Sequence, residues 1–169
     1  MEGLTPPRAL ASGDRVEDFR SGEPALDEWL ARRALANETT GASRTFVITD
    51  SKGVIGFHAL ATGAVALAEA PGRVRRNMPD PIPVIVLARM AVDTRWRGRG
   101  LGRALVRDAI LRACAASEIV GVRALLVHAK SDAAHRFYIE ACGFSPSPLA
   151  PMTLMVNLAD ARAALTTSV

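Results

Sequence analysis

The stretch "RWRGRGLGRALVRDAI", residues 95–110, places three glycines and four arginines in its first nine positions and then becomes an amphipathic helix, with Val106, Ala109, Ile110 and Ala113 on one face. A helix N-terminus presents unpaired N–H groups and the positive end of the peptide dipoles, and glycines let a ligand approach the backbone closely. Residues 97–103 therefore read as a cationic turn suited to phosphate. Two familiar phosphate motifs do not fit. The turn lacks the Lys-Ser/Thr ending of a nucleoside-triphosphate loop, and it lacks a G-x-G-x-x-G with a suitably placed acid. A solvated Arg-Gly turn in front of a helix is the plain structural alternative, and the spacing alone leaves both open.

Upstream, "VIVLARMAVD" (84–93) is a β-branched run that predicts a buried central strand, and "VRALLVHA" (122–129) predicts another after the helix. Ser131 predicts the N-cap of a helix running through Ala141 and ended by Gly143, and "TLMVNL" (153–158) predicts a last strand. Toward the N-terminus, "RTFVITD" (44–50) and "GVIGFHALAT" (53–62) flank the turn "DSKG" as a hairpin. Pro24 opens a helix whose stripe of Leu26, Trp29, Leu30 and Ala34 ends near Asn37. The segment 71–83, "PGRVRRNMPDPIP", reads as a proline-rich loop carrying Arg73, Arg75 and Arg76. The order of elements predicts a mixed α/β sheet.

Composition sets the bounds. A chain of 169 residues, 49% hydrophobic and 22% charged, predicts one globular domain over 1–169. The apolar stretch 54–68 is interrupted by His58 and Thr62 and is too short to span a bilayer, and the N-terminus has no signal-like pattern, so a cytoplasmic protein without membrane association is expected. Cys114 and Cys142 have neither disulfide-framework nor metal-ligand spacing, which predicts no metal site. The net charge is +4, and Lys52 and Lys130 are the only lysines, so the positive charge is almost all guanidinium. That suits a phosphate-bearing partner, although codon bias in an alanine-rich chain gives the same composition.

The hexapeptide Arg97-Gly98-Arg99-Gly100-Leu101-Gly102 resembles the Arg/Gln-x-x-Gly-x-Gly/Ala signature of the GNAT family of N-acetyltransferases, and it lies between a strand and a helix as in that family. Together with "DFRSGEPALDEWL", "LARMAVD", "ALLVHAKSDAAHRFYIEACGF" and "PMTLMVNL", it is similar over nearly the whole chain to the acetyltransferase toxins of bacterial toxin–antitoxin pairs. The resemblance implies a central, mostly antiparallel twisted sheet flanked by helices. It also implies acetyl-CoA held by the backbone of Met90, Ala91 and Val92 along the pantetheine arm, by Arg97, Gly98, Arg99, Gly100, Leu101, Gly102 and Arg103 at the pyrophosphate, and with Ser131 nearby. Tyr138 falls on the family's catalytic tyrosine. The acceptor implied is the α-amino group of an aminoacyl-tRNA, with blocked translation as the consequence. A homodimer and a neutralising ribbon-helix-helix antitoxin are implied as partners.

The residues can be weighed beside the resemblance. Acetyl transfer from a thioester expels a thiolate of reference pKa near 8.5, which a phenol near 10 can protonate when hydrogen bonding assists. Tyr138, the chain's only tyrosine, suits that role; a packed tyrosine using its hydroxyl as a tether is the alternative. His58, His128 and His135 are scattered, and none is assigned as a general base. An α-amine with a reference pKa of about 7.7 to 8.0 has little need of one. Arg89, an arginine in an otherwise apolar strand, would meet substrate or cofactor, or pair with Asp93 or Glu140. Arg73, Arg75 and Arg76 would clamp an RNA backbone, or be a solvated loop. Transfer to a small-molecule or protein amine, and a non-catalytic CoA- or RNA-binding module, are the competing functions.

Overall fold

The computed structural model describes residues 4–167, and the elements follow the periodicity of the sequence. Helix α1 (Pro24–Arg32) starts on a proline that needs no N–H donor and buries Leu26 and Leu30, one turn apart. Asp27 in its first turn accepts hydrogen bonds from the Ser21 hydroxyl (2.6 Å) and the Ser21 N–H (3.0 Å), which ties the preceding loop to the helix. The single helix expected to Asn37 is in fact two. Arg33 leaves the helical backbone at φ −117°, and α2 (Ala34–Thr40) follows it. Leu26, Leu30 and Ala34 nevertheless bury into one cluster.

Strands β2 (Arg44–Asp50) and β3 (Gly53–Val65) form the expected antiparallel hairpin, turned by the Asp50 carboxylate accepting from the N–H groups of Lys52 and Gly53. The segment 71–83 is more ordered than a loop: it contains the four-residue helix α3 (Gly72–Arg75), and β4 (Ile82–Val92) begins two residues earlier than expected, with Pro83 inside it. Helix α4 (Leu101–Ser117), β5 (Ala124–His128) and β7 (Thr153–Asn157) match the sequence reading, while α5 (Asp132–Arg136) starts where expected and stops five residues short of Ala141. Two-residue strands β1 (Arg8–Ala9) and β6 (Ser145–Pro146) and the C-terminal helix α6 (Leu158–Thr167) carry no periodic signal long enough to predict them.

The seven strands run in the order β1-β2-β3-β4-β5-β7-β6. Pairing is antiparallel for β1/β2, β2/β3, β5/β7 and β6/β7, and parallel for β4/β5. The chain divides into two compact units, Met1–Ala61 with Ala88–Asp108, and Thr62–Leu87 with Ala109–Val169, so that β3, β4 and α4 each run through both. In the first unit the residues of β4 alternate between two cores. Ala91 joins Phe19, Leu26, Leu30, Val47 and Phe57 against α1 and α2, while Met90 and Val92 pack with Ile48, Ile55, Leu101 and Leu105 against α4. The second unit is built around Val74, Ile82, Val84, Leu126 and Met155. Among the described residues no helix is long and apolar enough to cross a membrane.

Candidate functional site

The corner where β4 turns toward α4 is fixed by one carboxylate. Asp93 is fully buried and accepts four hydrogen bonds: its Oδ1 from the Arg95 N–H and Nε (both 2.9 Å), its Oδ2 from Arg95 Nη2 (3.0 Å) and the Arg20 N–H (3.1 Å). Burial pushes this carboxyl up, but the hydrogen bonds from the Arg95 side chain and backbone and from Arg20, with the Arg95 charge, outweigh it and hold the pKa below its ordinary value. Thr94 N–H donates back to the Arg20 carbonyl at 2.9 Å, so the corner is laced to the segment before α1.

Next comes the turn. Gly98 and Gly100 adopt φ of +74° and +84°, and a Cβ on either would meet nothing within 4 Å. Left-handed backbone there is a conformational demand met by glycine, and the open space leaves the backbone approachable. Arg99 lies over the Trp96 ring, 4.7 Å from its centroid, and Trp96 packs on the Ile48/Leu101 cluster. Arg97 reaches back instead and donates to the Ser21 carbonyl; Gly22 there has φ +92°, and a Cβ on it would sit 2.8 Å from Arg97 Nη2. Arg103 is exposed in the first turn of α4. An exposed helix start behind two left-handed glycines, with guanidinium groups on both sides, fits a diphosphate.

Arg89 takes neither of the ion pairs considered for it. Its guanidinium lies over the Trp29 ring, 5.4 Å from the centroid, and Nη1 donates to the Ala88 carbonyl at 2.9 Å, while Asp93 is committed to Arg95 and Arg20. Trp29, which the sequence offered only as a core residue, is half-buried and stacked on Phe57 at 5.9 Å with an interplanar angle of 14°.

In the second unit, Ser131 caps α5, its Oγ accepting from the Ala134 N–H at 3.0 Å. The predicted helix does not continue as an α-helix: Phe137–Ala141 form a π-helical turn, and Tyr138 sits in it. Tyr138 is buried, edge-on to Phe137 at 5.3 Å and tilted against Phe144 at 5.5 Å. Desolvation, with a smaller contribution from Cys142, drives its pKa well above the ordinary 10.0, so the phenol keeps its proton through the physiological range. The three histidines are all engaged elsewhere. His58 is fully buried with Nε2 at 2.7 Å from Asp108 Oδ2, His128 Nδ1 lies 3.0 Å from Thr153 Oγ1, and His135 Nε2 donates to the Pro151 carbonyl at 3.1 Å.

The three loop arginines have different fates. Arg73 forms a bidentate pair with Asp160 (2.5 and 2.7 Å), whereas the exposed guanidinium groups of Arg75 and Arg76 have no partner among the described residues. The short helix carrying them is held from below by Arg123, which donates to the carbonyls of Val74 (3.1 Å), Arg73 (3.0 Å) and Arg76 (3.3 Å), and by Asn157, which donates to Arg73 O at 3.0 Å. No sequence signal pointed to Arg123 or Asn157, because their partners lie some 50 and 84 positions away. Among the described residues no group of His, Cys, Asp and Glu is placed to hold a metal.

Residues 41–146 match the family described as an acetyltransferase (GNAT) domain. A tRNA-acetylating toxin of Mycobacterium tuberculosis (strain ATCC 25618 / H37Rv) is 53% identical over 163 residues, covering 96% of this chain and 98% of that one. Among solved structures, AtaT complexed with acetyl-methionyl-tRNAfMet superposes with a TM-score of 0.88 at 25% identity, covering 96% of this chain and 99% of that one. AtaTR bound with acetyl-CoA gives a TM-score of 0.81 at 26% identity, covering 98% and 99%.

Proposed function

We propose, for a chain that belongs to the GNAT acetyltransferase family, that it is a toxin enzyme transferring acetyl from acetyl-CoA to the α-amino group of aminoacyl-tRNA and so blocking translation. The observation that carries the reading is 53% identity, over nearly the full length of both chains, to a tRNA-acetylating toxin. The superposition on AtaT with its acetylated methionyl-tRNA supports the same acceptor.

Acetyl-CoA supplies its acetyl group as a thioester, and transfer to an amine leaves a thiolate behind. The backbone of Met90, Ala91 and Val92 would pair with the pantetheine arm, and the turn Arg97–Gly98–Arg99–Gly100–Leu101–Gly102–Arg103 would hold the pyrophosphate. Ser131, at the start of α5, would lie beside the cofactor. Tyr138 would present its Oη–H to the departing sulfur. Its raised pKa makes complete proton transfer to a thiolate uphill, so its first contribution is a hydrogen bond from a phenol that stays neutral, with the proton following as the nitrogen of the neutral amine that attacked, cationic once bonded to the acetyl carbon, gives up its own. Arg75, at the end of the braced helix α3, and Arg76, just after it, would meet RNA phosphates; Arg73, held by Asp160, would act chiefly by fixing that helix. Both compact units would belong to one acetyltransferase domain, acting in the cytoplasm as a homodimer and neutralised by a ribbon-helix-helix antitoxin.

The test is to incubate the chain with labelled acetyl-CoA and, separately, charged tRNA, uncharged tRNA and polyamines. Label should enter only the charged tRNA and leave it on mild alkaline hydrolysis as an N-acetyl amino acid. Label on polyamines, or on no acceptor, would overturn the reading.

A further inference from the structure

Helix α4 meets β3 along a stripe set by sequence spacing. Leu101, Leu105 and Asp108 fall at i, i+4 and i+7, so all three lie on one side of the helix, and on β3 the residues Gly56 and His58, two apart, share a face of the strand. Gly56 admits the helix closely: a Cβ there would stand 3.3 Å from Leu105 Cδ1 and 3.9 Å from Leu101 Cδ2. Two residues on, His58 Nε2 lies 2.7 Å from Asp108 Oδ2 and, facing a carboxylate, it is the donor. The imidazole is fully buried and the Asp108 side chain is only 16% exposed, so the bond is shielded from water. Phe46, cross-strand from His58, lies against the imidazole with 5.1 Å between ring centroids and fixes its plane.

Two apolar side chains would fill that interface with no desolvation penalty, so packing alone does not call for a histidine and an aspartate. What the pair adds is direction. The apolar contacts of Leu101 and Leu105 set how far α4 stands from the sheet and tolerate rotation about the helix axis, whereas a short hydrogen bond does not. Rotation matters at the other end of the same two turns. Asp108 lies about 10 Å along the axis from Leu101, and with Cα atoms about 2.3 Å from that axis a rotation of about 20° moves the helix start by about 0.8 Å. Good N–H···O bonds span a range of only about 0.5 Å in length, so a shift of that size spoils several at once. Asp93 holds the turn from upstream, and the His58 bond holds it from downstream through α4. We infer that His58, acting through Asp108, is a positioning residue for acetyl-CoA: the pair sets the rotation of α4 that aims the N–H groups at the helix start toward the pyrophosphate. This rests on residues 97–103 being the pyrophosphate turn and adds what aims it.

The experiment measures the thermal midpoint and the calorimetric affinity for acetyl-CoA in wild type, His58→Leu, His58→Gln, the double variant His58→Leu/Asp108→Leu, and Gly100→Val. His58→Leu leaves the Asp108 carboxylate against an apolar interior and should lose stability as well as about tenfold in affinity. The double variant leaves no charge in the interface, so its midpoint should return toward wild type while its affinity stays about tenfold down. It carries the comparison by itself where His58→Leu does not fold. Glutamine places an N–H donor where Nε2 now stands, so His58→Gln should keep an affinity close to wild type. Affinity that recovers with the midpoint in the double variant makes the pair a matter of stability alone and overturns the positioning role. A His58→Gln that folds and binds as weakly as the double variant overturns it too. Gly100→Val separates the premise from the inference. If it weakens acetyl-CoA binding and the folded double variant does not, the positioning role falls and the turn stands; if Gly100→Val binds as wild type does, both fall together.

Discussion

Asp93→Asn is the most searching single change in the first unit, because the substitution keeps the shape and alters only charge and donor count. The amide oxygen can retain the two bonds now made by Oδ1, to the N–H and Nε of Arg95. The amide nitrogen then faces two donors, Arg20 N–H and Arg95 Nη2, which now bond to Oδ2 at 3.1 and 3.0 Å. Each charge-assisted bond is worth about 1.5 to 3 kcal/mol, so losing two would cost about 3 to 6 kcal/mol before relaxation. Arg95 has a side chain 55% exposed and can turn to water, which brings the expected loss to about 2 to 4 kcal/mol. At about 2 to 4 °C per kcal/mol for a chain of this size, the thermal midpoint should fall by about 4 to 16 °C. Acetyl-CoA affinity should fall with it, since the turn 97–103 hangs from this corner. The pH dependence has a definite sign. The pKa of Asp93 is held below its ordinary 3.8, so its stabilisation is complete above that value and is lost as pH falls through the folded-state pKa. The gap between wild type and variant should therefore be constant near neutrality and close below about pH 4. Calorimetric scans with and without acetyl-CoA, at neutral pH and in mild acid, read all three quantities. A midpoint within 2 °C of wild type at pH 7 would show that the corner is held by something other than this carboxylate.

Tyr138→Phe should lower kcat by roughly 10²-fold or more with acetyl-CoA affinity nearly unchanged, and the wild-type rate profile should show no descending limb up to pH 10 because burial raises the phenol's pKa. A near wild-type kcat would remove Tyr138 from the chemistry, and a fall in wild-type rate between pH 8 and 10 would contradict the raised pKa. Gly100→Val should fold, since its Cβ points into open space, yet lose about 1 to 2 kcal/mol to left-handed strain and weaken acetyl-CoA binding at the turn; unaltered calorimetric affinity would dismiss the turn as a ligand site. Replacing Arg75 and Arg76 together by Ala should make the salt dependence of tRNA binding shallower by about 0.7 to 0.9 per lost contact, and an unchanged slope would leave helix α3 a solvated surface.

What the sequence disclosed was local chemistry. The glycine turn before α4, the β-branched run of β4 and the serine cap at Ser131 each announce themselves within a few residues, and the structure places all three as read. Long-range partnerships were not legible. Nothing in the neighbourhood of Arg89 says that it will lie over Trp29, 60 positions earlier, and the ion pairs considered for it were the ones that charge alone suggests. The Arg123 fork under α3 joins the residue just before β5 to carbonyls that a proline-rich segment gives no reason to expect in helical order. No catalytic role was assigned to His58, and its Asp108 partner, 50 positions away, had no local mark. The two-residue strands and the alanine-rich α6 are too short or too uniform for periodicity to register.

The π-helical turn at Phe137–Ala141 constrains chain length as well as composition. A π-turn takes one residue more than the α-helical path between the same ends, and each residue of a helix advances about 100° around its axis. Deleting any one residue from this segment would let it relax into an ordinary helix and swing every side chain on one side of the deletion by about that angle relative to the other. Tyr138 would then lose its setting between Phe137 and Phe144, and the closing bonds from Phe144 N–H to the Tyr138 carbonyl (3.0 Å) and from Gly143 N–H to Ile139 (3.3 Å) would have no counterpart. The segment 147–152, exposed at Pro148, Leu149, Pro151 and Met152, has no such bookkeeping of angle. Lineages diverging from this chain should therefore vary in length between β6 and β7 while preserving the residue count from Ser131 to Phe144, even where the identities in between have drifted.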